Sequence, residues 1–278
     1  MGPHVLLLRE PSPPPETDRY EAALSRASFR PHSLPVLETV LENLESLSRI
    51  FRGSDDQCTV DGVIVTSARA VDACARAGVD IDWGKVRFYA VGPATAAQLA
   101  RLPHPPRDVR GTESGTAERL AHYIVQDAKR GDKLLYLTGD KNRDTLPRVV
   151  QGGLGGEEVL QELRVYATRG VENIEHKLAC ALEDAADDGC EPWWIVFFAP
   201  SSAAHVTPAL RVYFSLEMGE TSDIITEEKS LLRRARVAAI GPTTGEYLRE
   251  EAGVRVEVVP DTPRADSLTL ALVKAQLV

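Results

Sequence analysis

Short apolar, β-branched runs alternate along this chain with stretches of helical period, and that alternation leaves few folds open to it. The runs are Val5–Leu8, Gly62–Val65, Arg87–Val91, Leu134–Leu137, Arg164–Tyr166, Trp194–Phe198, Val237–Ile240 and Arg255–Val259. Most are apolar throughout, so a strand made from one has neither face in water. Between them lie amphipathic stretches such as Ala94–Leu102, Thr116–Ala128 and Thr243–Ala252. Strand, helix, strand, with both strand faces apolar, predicts an α/β protein whose parallel sheets are covered by helices on both sides.

An internal repeat sharpens the reading. Val91-Gly92-Pro93-Ala94-Thr95 returns 149 residues later as Ile240-Gly241-Pro242-Thr243-Thr244. Ser114-Gly115-Thr116-Ala117-Glu118-Arg119-Leu120 aligns loosely with Thr262–Leu268, 148 residues on. Upstream, Val63-Ile64-Val65-Thr66-Ser67 parallels the segment Val196–Ser202. Three matches in one order predict two related halves, each a version of one βα fold. The 278 residues suit two domains. Pro11–Pro15 reads as a stiff surface loop, Gly152–Gly156 as a flexible connection and Ser215–Ser230 as an insertion or long loop.

Composition excludes several partners. A net charge of −9 argues against nucleic acid or an anionic membrane. Aromatic residues make up 6%, too few to argue for base-stacking platforms. It follows that an anionic ligand must be held by local dipoles and a few cations. No stretch reaches the length of a membrane span, and the apolar run after Met1 is too short for a secretion signal. Cys58, Cys74, Cys180 and Cys190 form no C-x-x-C pair and read as reduced thiols of a cytoplasmic protein.

The usual signatures of catalysis are missing. There is no P-loop, no G-x-S-x-G elbow, no dinucleotide fingerprint, and no histidine or cysteine pairing at metal spacing. We therefore expect no metal and no cofactor. What remains is a set of strand-end loops: Thr66-Ser67, Gly92-Pro93-Ala94-Thr95, Ser114-Gly115-Thr116, Thr138-Gly139-Asp140, Pro200-Ser201-Ser202 and Gly241-Pro242-Thr243-Thr244. In an open parallel sheet such loops line the carboxyl edge, where ligands bind. Each is expected to open a helix, pointing free N–H groups and the positive dipole end at that edge, which suits carboxylates or phosphates. Taken singly, each Ser or Thr has the plainer reading of an N-cap. Arg69, Lys141, Arg143 and Arg264 are the nearby cations. Tyr166 follows a short strand where the chain leaves the first half. A tyrosine there can bury its ring and still offer a protonated hydroxyl.

Together these residues resemble the uroporphyrinogen-III synthase family. The matching segments are Val65–Val71, Val91–Ala96, Gly115–Ala121, Val165–Thr168, Phe197–Ser202 and Ala239–Thr244. Each is short; in this order they span nearly the whole chain. The resemblance implies two flavodoxin-like parallel-sheet domains joined by a two-stranded linker, with a cleft between them. Domain one would be residues 1–35 plus 168–278. Domain two would be residues 36–167, inserted into the first, with Pro35-Val36-Leu37 and Val165-Tyr166-Ala167 as linker strands.

The substrate implied is hydroxymethylbilane, a linear tetrapyrrole with eight carboxylates. Its terminal hydroxyl leaves as water, and the resulting cation closes through a spiro-pyrrolenine, inverting ring D. The resemblance makes Tyr166 the residue that donates the proton or hydrogen-bonds the departing hydroxyl. Thr66, Ser67, Arg69, Thr95, Ser114, Gly115, Thr116, Gly139, Lys141, Arg143, Ser201, Ser202, Thr243 and Thr244 become candidates for binding substrate. One departure stands out: the family's Phe-Ser-Pro-Ser is Phe198-Ala199-Pro200-Ser201 here. The protein implied is a monomeric lyase of haem biosynthesis. The alternative is a non-catalytic two-domain protein that binds an anionic small molecule. A receiver-type signalling module is weaker, since Glu10 stands alone after the first strand.

Overall fold

The computed structural model describes residues 2–52, 60–77, 86–185, 192–216 and 232–277. In chain order its first elements are β1 (His4–Leu8), α1 (Arg19–Arg26), β2 (Arg30–Ser33), β3 (Leu37–Leu41), α2 (Leu44–Arg52), β4 (Gly62–Val65), α3 (Ala68–Arg76), β5 (Arg87–Ala90), α4 (Pro93–Leu99), β6 (Asp108–Arg110) and α5 (Ala117–Asp127). They continue with β7 (Leu134–Gly139), α6 (Thr145–Leu154), β8 (Leu160–Gly170), α7 (Ile174–Asp184), β9 (Trp193–Phe197), α8 (Pro200–Tyr213), β10 (Phe214–Ser215), β11 (Arg233–Ala239), α9 (Pro242–Glu250) and α10 (Ala265–Gln276). The expected α/β class is what forms. Cys58, Cys190 and most of the segment Ser215–Ser230 lie outside the described residues; Cys74 and Cys180 are free thiols.

The chain divides into two compact units. One is Met1–Glu38 with Gly170–Val278; the other is Thr39–Arg169. In the first, β10-β11-β9-β1-β2 form a parallel sheet. Its strands face two ways. Leu6, Leu8, Trp193, Ile195 and Phe197 fill one core, while Val5, Leu7, Trp194 and Val196 fill the other. The second unit repeats the arrangement in β8-β7-β4-β5-β6, all parallel, with β3 added beyond β8. Val63, Val65, Leu135 and Leu137 face one core; Ile64, Leu134 and Tyr136 face the other. Val36 accepts from Val171 N–H and Val165 from Glu42 N–H, an opposed order that makes β3 and β8 antiparallel. The two crossings between units fall in these strands.

Both sheets are doubly wound and correspond position by position once the chain order is circularly permuted. The first runs 2-1-3-4-5 in its own chain order; the second, counted from β6, runs 3-2-1-4-5, with β7 and β8 in the places of β1 and β2. In the first unit the order reads β2-β1-β9-β11, with an isolated bridge from Ala238 to Val258 in fifth place. In the second it reads β8-β7-β4-β5-β6. The 149-residue repeat pairs like with like: Val109 of β6 falls on Val258.

Three sequence expectations need correction. The run Arg255–Val259 is not a strand. It makes a single bridge, with Glu257 and Val258 both donating to the Val237 carbonyl, because Gly253 at φ 62° and Pro260 leave too little chain for a ladder. The cluster Gly152–Gly156 is not a flexible connection. Gly152 and Gly153 are inside α6, and a Cβ on Gly153 would fall 2.5 Å from a Val125 methyl, so the glycine lets α5 and α6 close up. Gly155 (φ 113°) and Gly156 (φ 128°) then end the helix, both donating to the Gln151 carbonyl. Thr138-Gly139-Asp140 does not open a helix directly; α6 begins only at Thr145, with Asp144 as its N-cap. Strand β2, Arg30-Pro31-His32-Ser33, carried no apolar signal because it is a half-exposed edge strand.

Asp18 ties the end of β1 to α1. Its carboxylate accepts from the N–H groups of Tyr20 (2.9 Å), Glu21 (3.2 Å) and Ser12 (2.8 Å), and from Arg9 at 2.7 Å. Burial alone would raise this carboxyl, but the hydrogen bonds from Arg9, Ser12 and Glu21 outweigh it and hold the group at about 2. A depressed carboxyl stabilises the fold above its unfolded value and loses that contribution as pH falls through the folded one. We expect stability to drop by up to about 2 kcal/mol between about pH 4 and pH 2. Urea unfolding of Asp18→Asn at stepped pH should lack this part of the acid limb.

Candidate functional site

In the second unit the carboxyl ends of β4, β5, β6 and β7 share one sheet edge because their ladders are parallel. Their loops are stitched together by backbone bonds: Val91 N–H donates to Val65, Gly115 N–H to Val91 (2.8 Å) and Ser114 N–H to Gly111. Gly115, at φ 70°, makes the left-handed turn this needs. The candidates Thr66, Ser67, Thr95, Ser114, Gly115, Thr116 and Gly139 therefore belong to loops of that edge.

Their burial and bonding separate them. Ser67 Oγ accepts from Arg69 N–H and Thr116 Oγ1 from Arg119 N–H, so both hydroxyls cap helices. Thr95 and Ser114 are buried at 7% and 9% exposure, which makes them parts of the packing. Lys141 and Arg143 are exposed, and neither makes an ion pair with a described residue.

Tyr166 sits at this edge because β8 slips register against β7, setting Tyr166 opposite Gly139. A Cβ on Gly139 would come within 2.3 Å of the Tyr166 ring, so the glycine is what lets the phenol lie against the strand end. The Arg69 guanidinium lies over the same ring, 5.9 Å from its centroid. Beside it, Glu42 pairs with both Arg164 (2.7 Å) and Arg169. Arg69 also lines an open cleft of about 640 Å³ with Asp72 and Arg76.

A second cluster escaped the sequence reading. The Tyr136 hydroxyl donates to Asn142 Oδ1 at 2.9 Å and meets Thr66 Oγ1 at 3.3 Å. Burial pushes this phenol above its ordinary value, so it keeps its proton. Burial and the charge of Asp144 raise Glu162, against which a hydrogen bond from Asn142 acts. A tyrosine within Leu134-Leu135-Tyr136-Leu137 reads as core, and most of it is core. The only signal was a hydroxyl in an otherwise aliphatic strand.

In the first unit the edge is formed by the ends of β1, β9 and β11. Here helices α8, α9 and α10 begin at Ala199, Gly241 and Arg264, and none of these gives a side-chain cap. Their first-turn N–H groups are left for other acceptors. Ala199, where the family has serine, is one of these uncapped positions. Ser202 is buried and donates to the Ala199 carbonyl at 2.7 Å, so it does not replace the missing hydroxyl. Ser201 and Thr243 are exposed; Thr244 is buried at 4%, like its repeat partner Thr95. Arg9, at the end of β1, was also missed, but Asp18 binds it and the rings of Tyr20 and Phe198 flank it at 5.0 and 5.5 Å. Among the described residues no cluster of His, Cys, Asp or Glu could hold a metal ion, and no helix is long and apolar enough to cross a membrane.

Two expectations follow. Gly139→Ala must displace the Tyr166 ring, so turnover of hydroxymethylbilane, the substrate the resemblance implies, should fall while the melting temperature shifts little. The two threonines should differ: Thr244→Ala should cost ~1 kcal/mol of stability in denaturant unfolding, and Thr243→Ala should stay within ~0.5 kcal/mol yet weaken binding of product.

Residues 18–269 match the family model described as uroporphyrinogen-III synthase HemD. The chain is 27% identical to the uroporphyrinogen-III synthase of Schizosaccharomyces pombe, over 97% of this chain and 96% of that one. It is 26% identical to that of Saccharomyces cerevisiae, over 96% and 94%. Among solved structures it is similar to uroporphyrinogen-III synthetase from Helicobacter pylori, at a TM-score of 0.50 and 14% identity, covering 99% of this chain and 100% of the other. At that identity the likeness speaks for the fold alone. The match to the family model takes in most of both units, and the chain belongs to the uroporphyrinogen-III synthase family.

Proposed function

We infer that this chain is the lyase that dehydrates and cyclises hydroxymethylbilane to uroporphyrinogen III, with ring D inverted. The observation that carries this reading is the family match over residues 18–269. The comparisons lend no support to a non-catalytic binding protein.

The chemistry asks for two things. A C–O bond must break at the terminal hydroxymethyl group, with a proton delivered so that water departs. The cation left behind must then be attacked by the ring D carbon that already bears a bridge, not by the free terminus. Uncatalysed closure gives the unflipped isomer, so most of the enzyme's task is geometry.

We assign the proton to Tyr166. Its ring rests against Gly139, and the Arg69 guanidinium over its face stabilises the negative charge that develops on the phenol as the proton moves away. The carboxylates need anchors that a chain of net charge −9 does not supply in bulk. The uncapped N-termini of α8, α9 and α10 supply them locally, as do the exposed Lys141 and Arg143. The missing hydroxyl at Ala199 suits this role, since no side chain of its own competes for the first-turn amides of α8.

Purified protein dialysed against a chelator should convert hydroxymethylbilane to uroporphyrinogen III with nothing added. Activity that is lost on dialysis and restored by zinc would contradict the cofactor-free reading. Tyr166→Phe should lower kcat by ~10²-fold or less, the low end of general acid assistance, because the pyrrole nitrogen already helps the hydroxyl leave. The isomer formed should not change, as judged by chromatography of the oxidised products. A full-rate variant would remove Tyr166 from the chemistry. Mostly unflipped product would make it a residue that folds the substrate.

A further inference from the structure

The hydrogen bonds beneath the sheet edge run in one direction. The atom of Asn142 turned to Tyr136 is the amide oxygen, Oδ1. An amide oxygen cannot donate, so the Tyr136 hydroxyl spends its single proton on it, at 2.9 Å. The same hydroxyl lies 3.3 Å from Thr66 Oγ1, and toward Thr66 it has only lone pairs left. Thr66 must therefore donate to Tyr136. Its one proton is used inward, and what remains for a ligand is an oxygen with lone pairs.

We propose that Tyr136 is a positioning residue that fixes Thr66 as a hydrogen-bond acceptor, and that Thr66 takes a pyrrole N–H of the bilane instead of a carboxylate. This rests on the reaction inferred above, and it sets Thr66 apart from the anion-binding reading of the strand-end loops. A carboxylate offers no proton, and two acceptors face to face repel. A pyrrole N–H is the complementary group, and each ring of the substrate has one. The arrangement is built to hold. Tyr136 is 1% exposed on β7, whose ladder with β4 fixes the Thr66 backbone, while Asn142 comes from the loop between β7 and α6. Tyr136 thus selects which part of a substrate rich in carboxylates meets this point of the edge.

The test is steady-state kinetics on Tyr136→Phe, Thr66→Val and the double variant, with melting temperatures alongside. Tyr136→Phe frees the Thr66 proton to turn outward. KM for hydroxymethylbilane should rise about 3- to 10-fold, the loss of one ordinary hydrogen bond, with a smaller change in kcat. The double variant should be no worse than Thr66→Val, because Tyr136 acts through Thr66. Asn142→Ala, at an exposed loop position, should raise KM in the same direction, since Tyr136 can then turn its proton toward Thr66. A lower KM for Tyr136→Phe would mean that Thr66 donates to a carboxylate, and would overturn the proposal. So would unchanged kinetics in an active, folded Tyr136→Phe enzyme, or additive losses in the double variant. Absence of turnover by the unmodified chain would overturn the reaction inferred above and this proposal with it.

Discussion

Parallel strands with no wet face govern everything else in this protein. Val5, Leu6 and Leu7 of β1, Val63, Ile64 and Val65 of β4, and Ile195, Val196 and Phe197 of β9 are all fully buried. Each strand presses one set of side chains into each of two cores, so a polar group in mid-strand would have neither water nor a partner. Polar chemistry is pushed to the strand ends. A parallel connection must also return the chain to the opposite edge before the next strand, so the helix that does this starts at the carboxyl edge. Loop hydroxyls and helix N-termini gather there for that reason, in both units.

The two units use this edge differently. In the second, α3 and α5 spend the hydroxyls of Ser67 and Thr116 on their own first turns, and α4 alone of the three starts without a side-chain cap, at Gly92 as its counterpart α9 does at Gly241. That unit's distinctive features are side chains: a phenol held against a glycine by a register slip, with a guanidinium over its face. In the first, α8, α9 and α10 start without side-chain caps. An uncapped N-terminus weakens a helix by about 1 kcal/mol relative to a good cap, a modest sacrifice if an anionic ligand takes the amides. Ala199 belongs with that group, which gives a physical sense to the residue where this chain leaves the family's pattern.

The sequence made the edge legible but not the roles on it. Ser and Thr before helices announced the loops, yet Thr95 and Thr244 turned out buried while Thr243 and Ser201 stayed in water. A helix start places adjacent residues on different sides, and only packing decides which side is the core. Tyr136 and Asn142 were invisible for a related reason. They are six residues apart, and Thr66 is seventy residues from Tyr136. Nothing local to any of them reports a bond that exists only because β4 and β7 are neighbours.

The repeat divides the labour between sequence and tertiary structure most clearly. The sequence determined the α/β class, the apolar strands with both faces buried, and a motif returning after 149 residues. Those follow from local periodicity and from which side chains tolerate water. Read alone, the repeat cuts the chain into a first half and a second half. The fold cuts it elsewhere. Strands β1 and β2 join β9 and β11 from the far end of the chain in one sheet, while β4 to β8 close a circularly permuted counterpart among themselves. Each sheet thus holds one full set of strands, but the first assembles its set from both ends of the sequence. Periodicity cannot choose between these partitions, because it reports which faces of a strand are buried and not which strand lies beside it. The choice falls to the pairing of strands, which only the folded chain decides.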